Sequence, residues 1–370
     1  MKKALATLLI ASMTIASLAA CGGTTTSGTG TTETAVGESS VSDNTTSADE
    51  SALAESNPDT SASQDSKVET SAADSSVADT SEAEEAEEEN YETGDASLDN
   101  PRNQDDIGEN ELLVVSFGTS FNDSRRNTIG AIEDALEKAF PDWSVRRAFT
   151  SQIIIDHVKS RDGEEIDNVK QALDRAVANG VKKLVVQPTH LMNGLEYTDL
   201  TEEVSQYADA FDKISIGEPL LSTDEDFKSV EEAITGATST YDDGQTAIVF
   251  MGHGTEADSN AIYAKMQENL KADKFENYYI GTVEATPSVN DVLELVKADD
   301  YKRVVLRPLM VVAGDHANND MAGDEDDSWK SIFEAAGYEV ECVLEGLGSV
   351  DAIHEIYVAH AQKAVDEALS

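Results

Sequence analysis

The sequence predicts an α/β protein of two similar lobes, each a doubly wound parallel sheet, with a cleft between the lobes. From residue 111 onward, short β-branched apolar runs alternate with segments whose apolar residues recur at helical spacing, which is typical of parallel sheets. The stretches 182–196 and 302–316 also align without gaps, with lysine, proline and glycine at matching positions. Together these observations predict a duplicated α/β unit.

The first twenty residues predict a signal peptide. Met1-Lys2-Lys3 is a short basic end, and the apolar run that follows is too short for a transmembrane helix. Leu18-Ala19-Ala20-Cys21 then resembles the lipobox of bacterial lipoproteins. We expect Cys21 to be the lipidated first residue of a mature protein that is extracytoplasmic and anchored to the cell membrane. The alternative is a secreted protein with an incidental cysteine.

Residues 21–110 predict a disordered acidic tether. They consist mainly of Ser, Thr, Ala, Gly, Asp and Glu, with Lys67 and Arg102 as the basic residues, so they cannot bury enough apolar surface to fold. The whole chain carries a formal charge of -47, which argues against nucleic acid as a partner because like charges repel.

The remaining chain divides at a polar crossover into lobes at 111–240 and 241–370. Cys342 is the one cysteine besides Cys21, which excludes a disulfide framework and a cysteine-based metal site. Neither a phosphate-binding loop, a dinucleotide fingerprint nor a Gly-x-Ser-x-Gly elbow is present, so a nucleotide-driven reaction and an α/β-hydrolase are both disfavoured.

Polar residues follow three predicted strands of the second lobe. His253 follows the run at 247–251, Glu284 follows 279–283, and His316 follows the long β-branched run 304–312, which we expect to be one strand. Carboxyl ends of neighbouring parallel strands meet at one edge, so these side chains should converge. Two imidazoles and a carboxylate suit a borderline metal with open coordination positions.

The first lobe offers two further candidates, His190 at the exit of a buried strand and Glu196 opposite His316 in the internal alignment. For a single histidine, the simpler interpretation is a strand cap that hydrogen-bonds to a loop. The recurrence of histidines at matching strand exits favours a site in the cleft.

The chain from about Leu112 to its end resembles the anaerobic sirohydrochlorin cobaltochelatases, relatives of the ferrochelatases. The resemblance is carried by Ser116-Phe117-Gly118-Thr119-Ser120, Met251-Gly252-His253-Gly254, Val283-Glu284 and Pro308 to Ala322, which includes Gly314-Asp315-His316. It implies a lyase with a two-lobed chelatase fold, which inserts Co2+ into a tetrapyrrole without ATP in cobalamin biosynthesis. Fe2+ is the alternative metal, and no cofactor is implied beyond the substrate metal.

Site roles follow from the resemblance position by position. His253, Glu284 and His316 match the metal-binding residues, His253 also matches the presumed proton acceptor, and Glu196 matches an acidic cleft residue with a catalytic role. A tetrapyrrole has an anionic rim, so cations should bind it, with His190 as a further substrate contact. The arginine candidates are Arg125, Arg126, Arg146, Arg147 and Arg307, of which Arg147 is preferred.

The signal peptide and tether depart from the pattern of a cytosolic biosynthetic enzyme. The alternative function is therefore a lipoprotein that binds haem, a corrinoid or free metal for uptake without catalysis. The expected partners are a sirohydrochlorin-like tetrapyrrole, a divalent metal and the membrane, and formation of a homo-oligomer is left open.

Overall fold

A computed structural model describes residues 93–105 and 107–370. The predicted signal peptide, Cys21 and most of the predicted tether lie outside these residues. Within them the chain forms two separate parallel sheets, of five and four strands, which confirms the predicted fold class. No helix in the described part is both long enough and apolar enough to cross a membrane.

The first sheet has the strand order β3-β2-β1-β4-β5, and all of its strands are parallel. Its central strands are buried on both faces because helices cover each side. The strands are β1 Asn110–Ser116, β2 Ser144–Phe149, β3 Asp167–Asn168, β4 Lys183–Pro188 and β5 Lys213–Ile216. The helices between them are α1 Asn122–Arg125, α2 Ala131–Ala139, α3 Gln152–Asp162, α4 Val169–Ala178 and α5 Leu195–Ser205, and α6 Asp224–Thr238 leads to the second sheet.

The second sheet has the order β7-β6-β8-β9 and is also parallel throughout. After β6 the chain first forms β7 on one side of β6 and then β8 on the opposite side of β6. The carboxyl end of β6 is therefore a topological switch point, where open α/β sheets bind ligands. The strands are β6 Thr246–Gly252, β7 Tyr278–Thr282, β8 Arg303–Pro308 and β9 Glu339–Cys342. The helices are α7 Ala261–Ala272, α8 Val289–Lys297, α9 Trp329–Ala335 and α10 Asp351–Leu369.

The last helix, α10, packs on the first sheet rather than on the second. The hydroxyl of Tyr357 in α10 donates a 2.8 Å hydrogen bond to the carbonyl oxygen of Thr189. The hydroxyl of Ser215 in β5 donates a 2.7 Å hydrogen bond to the carbonyl oxygen of Ala364 in α10. One cluster of buried apolar side chains contains members of both sheets and of α10. A boundary at residue 240, predicted from chain order, therefore assigns α10 to the wrong sheet.

The predicted tether reaches too far into the folded region. Residues 93–105, which we call the strap, lie against α1, α2 and β2. Arg102 is only 1% exposed, and the Gln104 carbonyl oxygen accepts a 2.6 Å hydrogen bond from Arg146. The strap therefore belongs to the fold, because it supplies partners for buried charges there.

The predicted strand at 304–312 is also too long. β8 ends at Pro308, and the apolar residues after it form a loop that crosses toward the first lobe. The carbonyl oxygens of Met310 and Val311 accept hydrogen bonds from the backbone N-H groups of Leu347 and Gly348, in the loop after β9. Leu309 is buried, whereas Met310, Val311 and Val312 are half-buried, and none of them is part of the sheet.

Candidate metal centre

His253, Glu284 and His316 come together at the carboxyl edge of the second sheet. His253 follows β6, Glu284 follows β7, and His316 ends the loop after β8. One ligand atom from each of the three lies within 4.8 Å of the others. The neighbouring order of β7, β6 and β8 explains the convergence.

The three side chains form an open, solvent-facing group. The His253 and His316 rings meet edge to face, with centroids 4.7 Å apart and planes at 82°. Nε2 of His253 is 3.9 Å from Oε1 of Glu284. Their side chains are 41% exposed for His253, 38% for Glu284 and 25% for His316, so a large ligand can approach the group.

Both histidines present Nε2 for coordination because Nδ1 is already engaged. Nδ1 of His253 is 2.8 Å from the carbonyl oxygen of Gly254, and Nδ1 of His316 is 2.8 Å from Oδ2 of Asp320. A carbonyl or carboxylate oxygen only accepts here, so each Nδ1 carries the proton. Burial opposes the charged form of His316, but the Asp320 hydrogen bond and the charges of Asp320, Asp315 and Glu284 outweigh it and raise the pKa of His316.

The loops that carry His253 and Glu284 are joined through their backbones. The Glu284 N-H donates a 2.8 Å hydrogen bond to the His253 carbonyl oxygen. Gly254 has φ of +92°, and a Cβ there would lie 2.8 Å from Cβ of Ala285 and 2.9 Å from Cβ of Thr282. Glycine is therefore required for the two loops to approach each other.

Segments of the first lobe also contact two loops of the second lobe, the loop after β8 and the loop after β6. The Ser124 hydroxyl accepts a 3.0 Å hydrogen bond from the Ala313 N-H, which ties the start of α1 to the loop after β8. On the other side, a Cβ on Gly194 would lie 3.6 Å from Oγ of Ser259. Segments of the first lobe therefore border the loops that carry His253 and His316.

Glu196 does not belong to the three-residue donor group. It lies exposed in the first turn of α5. Burial raises the pKa of Tyr263, and the negative charge of Glu196 adds to that shift. Since the Tyr263 hydroxyl accepts a 3.3 Å hydrogen bond from the Gly254 N-H, Glu196 lies near the loop that holds His253.

His190 also stands apart from the donor group, at the end of β4. Both of its ring nitrogens are buried and have no hydrogen-bond partner within the described residues. Burial lowers its pKa to about 4, so the ring is neutral near pH 7. Its role as a substrate contact stays a prediction.

The preferred arginine does not face a substrate, which corrects the prediction. Arg147 is 1% exposed and is held by Asp99 of the strap and by Glu133 of α2, whose oxygens lie 2.6–3.1 Å from its guanidinium nitrogens. Arg125, Arg146 and Arg307 are buried as well, and Arg126 keeps partial exposure. Burial beside carboxylates leaves Arg147 no free donor face.

The sequence does not single out two further residues of interest, Asp320 and Asp99. Asp320 was visible only as a carboxylate four positions after His316, a spacing that brings side chains together on a helical turn. Asp99 carried no signal, because it lies in a segment whose composition matches the acidic tether.

Two imidazoles and one carboxylate, open to solvent at the switch point of an α/β sheet, form a group that could hold a metal ion and leave coordination positions for further ligands. Residues 110–366 match the family model described as cobalt chelatase (CbiK). The chain belongs to this cobalt chelatase family.

Relatives carry the same description. The chain is 39% identical to the sirohydrochlorin cobaltochelatase of Salmonella typhimurium over 258 residues, which are 70% of this chain and 97% of that protein. It is 29% identical to the sirohydrochlorin cobaltochelatase CbiKC of Nitratidesulfovibrio vulgaris over 256 residues, 69% of this chain and 90% of that one. The structure of the sirohydrochlorin chelatase SirB from Bacillus subtilis subspecies spizizenii, solved with cobalt, is a remote neighbour. It has 14% identity and a TM-score of 0.48, with 70% of this chain and 96% of that chain covered.

Proposed function

We propose that the protein is an ATP-independent chelatase that inserts Co2+ into sirohydrochlorin or a closely related tetrapyrrole. The observation that carries this proposal is the donor group of His253, Glu284 and His316, in which both imidazoles have Nε2 free. Membership in the cobalt chelatase family supports it, and the naming of relatives as chelatases disfavours the binding-only alternative. Fe2+ is a second substrate metal to be tested.

The composition of the donor group suits a metal ion that must be transferred to the macrocycle. Three side chains leave coordination positions for water and then for pyrrole nitrogens. One carboxylate supplies charge that attracts a divalent ion, and the absence of thiolates from the group keeps the ion transferable. The exposure of His253 and Glu284 lets a flat macrocycle reach the bound ion.

The macrocycle must lose two pyrrole protons as it takes up the metal. A lone pair on Nε2 of His253 cannot hold a metal and a proton together, so it becomes a proton acceptor once the metal passes to the macrocycle. We assign one of these protons to His253 and the other to Glu196, which lies near the Tyr263 side of the same loop.

We further propose that the enzyme is exported and anchored to the membrane by a lipid on Cys21. The basic start, the apolar run and the small residues before Cys21 support this proposal. Replacement Cys21→Ala should abolish incorporation of a labelled fatty acid into the protein without loss of chelatase activity. Absence of the label from the wild type would exclude the lipid anchor.

An anaerobic absorbance time course tests the activity. Full-length protein in detergent is mixed with sirohydrochlorin and Co2+, beside a protein-free mixture and the variants His253→Ala and His157→Ala. His157 lies on α3, outside the donor group, and serves as the matched control. We expect fast metallation by the wild type and His157→Ala, and a rate near that of the protein-free mixture for His253→Ala. Tetrapyrrole binding without accelerated metallation would overturn the proposal in favour of a carrier.

A further inference from the structure

Three consecutive side-chain contacts brace the turn that carries His316. The Asn318 side-chain amide donates a 2.7 Å hydrogen bond to the Gly314 carbonyl oxygen, and the Asn319 amide contacts the Asp315 carboxylate. His316 Nδ1 contacts Asp320 Oδ2 at 2.8 Å. Each contact joins residues four positions apart, so the turn fixes its own polar side chains.

The same turn is anchored in the core of the second lobe. Ala317 and Met321 begin and end the π-helical turn Ala317–Met321, and both are fully buried in an apolar cluster. Directly after the turn, Gly323 lies so close that a Cβ would be 2.4 Å from the Asn319 carbonyl oxygen. His316 and Asp320 therefore sit one position before the buried pair, on an adjacent and more exposed stripe.

We propose that Asp320 is a positioning residue for metal binding: its carboxylate accepts the Nδ1-H of His316 and thereby fixes the tautomer and orientation that point Nε2 toward His253 and Glu284. This inference rests on the proposed metal-binding role of His316. Carboxylates that hold metal-bound histidines in this way also increase the basicity of the coordinating nitrogen.

The two histidines of the group are therefore unequal. Nδ1 of His316 donates to a charged carboxylate, whereas Nδ1 of His253 donates to the neutral carbonyl of Gly254. A charge-assisted hydrogen bond is the stronger of the two, so His316 is the better metal ligand. His253 then releases the metal first, which frees its Nε2 to accept a pyrrole proton.

Asp320 also lies in a second group of potential ligands, with Asp315 and His316. A metal bound there through Nδ1 of His316 would have to break the Asp320 hydrogen bond and turn Nδ1 into a ligand. Direct coordination by Asp320 is therefore the competing role, and it is an outcome of the test below.

The test uses the full chain, without a histidine tag and without tetrapyrrole. Co2+ is titrated into the wild type, Asp320→Ala, Asp320→Asn and the control Asp324→Ala, and the visible absorption of bound Co2+ is followed. Asp324 is exposed and pairs with Lys330, away from the donor group. Thermal unfolding of each variant checks its fold.

We expect Asp320→Ala to weaken Co2+ binding about 10- to 100-fold. Asp320→Asn should recover part of that loss, because the amide oxygen still accepts the Nδ1-H, and the absorption band of bound Co2+ should keep its shape. Asp324→Ala should match the wild type. Affinity of Asp320→Ala within about twofold of the wild type would overturn the inference. If Asp320→Asn binds Co2+ as weakly as Asp320→Ala and the absorption band of bound Co2+ changes shape, Asp320 is a direct ligand. That result would also overturn the inference.

Nitrogen-15 spectra of the six histidine rings give a readout that needs no metal. In the metal-free wild type and Asp320→Asn we expect His316 to be protonated at Nδ1, and in Asp320→Ala we expect a mixture of tautomers. An unchanged tautomer in Asp320→Ala would overturn the inference. A wild type that shows this tautomer but binds no Co2+ would contradict the proposed function and leave the positioning contact confirmed.

Discussion

Asp99 binds Arg147 through both carboxylate oxygens, at 2.6 Å and 3.1 Å, across 48 residues of sequence. The same carboxylate accepts a 2.8 Å hydrogen bond from Nε of Arg125. In return, Arg102 of the strap lies 3.3 Å from Glu133 of α2. Ion pairs thus run in both directions between the strap and the first lobe. An acidic residue of the strap pairs with buried arginines of the lobe, and an arginine of the strap pairs with a buried glutamate of the lobe.

Replacement Asp99→Ala should lower the free energy of unfolding by about 3 kcal/mol, because two buried guanidinium groups each lose a partner. Asp105→Ala is the matched control on the strap, since its contact with Arg175 is exposed and should contribute less than about 1 kcal/mol. Chemical denaturation measures both. Equal losses in the two variants would contradict a structural role for the Asp99 contact.

Glu111 makes stability fall as pH rises. It is 1% exposed, and neither carboxylate oxygen has a hydrogen-bond partner in the described part of the chain. Burial raises its pKa to about 7, although the charge of Arg146 opposes the shift. The folded protein therefore holds a proton that the unfolded chain has lost between pH 4.5 and 7, so stability decreases through this range.

The variant Glu111→Gln should remove this loss. By linkage we expect it to be more stable than the wild type by roughly 3 kcal/mol at pH 8 and similar to it near pH 4.5. Glu109→Gln, at an exposed position two residues earlier, is the control and should change little at either pH. Denaturation curves at several pH values measure the free energy of unfolding of both proteins. A difference between Glu111→Gln and wild type that does not change with pH would refute the raised pKa of Glu111.

Gly254→Ala should destabilise the protein and disturb metal binding. The left-handed φ and the contacts with Ala285 and Thr282 together should cost about 2 kcal/mol or more. Gly236→Ala is the opposite case and should stabilise by up to about 1 kcal/mol. Gly236 lies in α6, and apart from the helix backbone no atom of the described residues lies within 4 Å of a new Cβ. Thermal unfolding compares the two, and effects of the same sign would contradict this view.

Glu284→Gln should weaken Co2+ binding about tenfold or more, because the amide keeps the shape of the side chain but removes the one negative charge of the donor group. Glu256→Gln, an exposed position in the loop after β6, is the control and should bind as the wild type does. Direct Co2+ titration measures both variants. Unchanged affinity in Glu284→Gln would remove Glu284 from the ligand set.

Glu196→Gln should separate turnover from metal affinity. Since Glu196 lies outside the donor group, Co2+ affinity should stay within about twofold of wild type, while loss of a proton acceptor should slow metallation about a hundredfold. Glu202→Gln, exposed on the same helix α5, is the control. A parallel loss of affinity and rate would point to metal binding by Glu196 instead.

The sequence was informative where a periodic pattern determines geometry. Alternation of strands and helices implies parallel sheets, and parallel strands bring their carboxyl ends to one edge, so the meeting of His253, Glu284 and His316 was predictable. The environment of Arg147 was not, because its partners Asp99 and Glu133 are distant in sequence and nothing local marks them. The end of β8 was missed for a similar reason: the backbone partners of Met310 and Val311 come from the loop after β9.

The return of α10 to the first sheet also determines how the two lobes are linked. The chain crosses to the second sheet between α6 and β6 and comes back between β9 and α10, so two covalent connections lie between the lobes. Both connections join sheets that already share one buried apolar cluster. The position of the Glu196 loop relative to the loops of His253 and His316 is therefore set by side-chain packing as well as by chain connectivity.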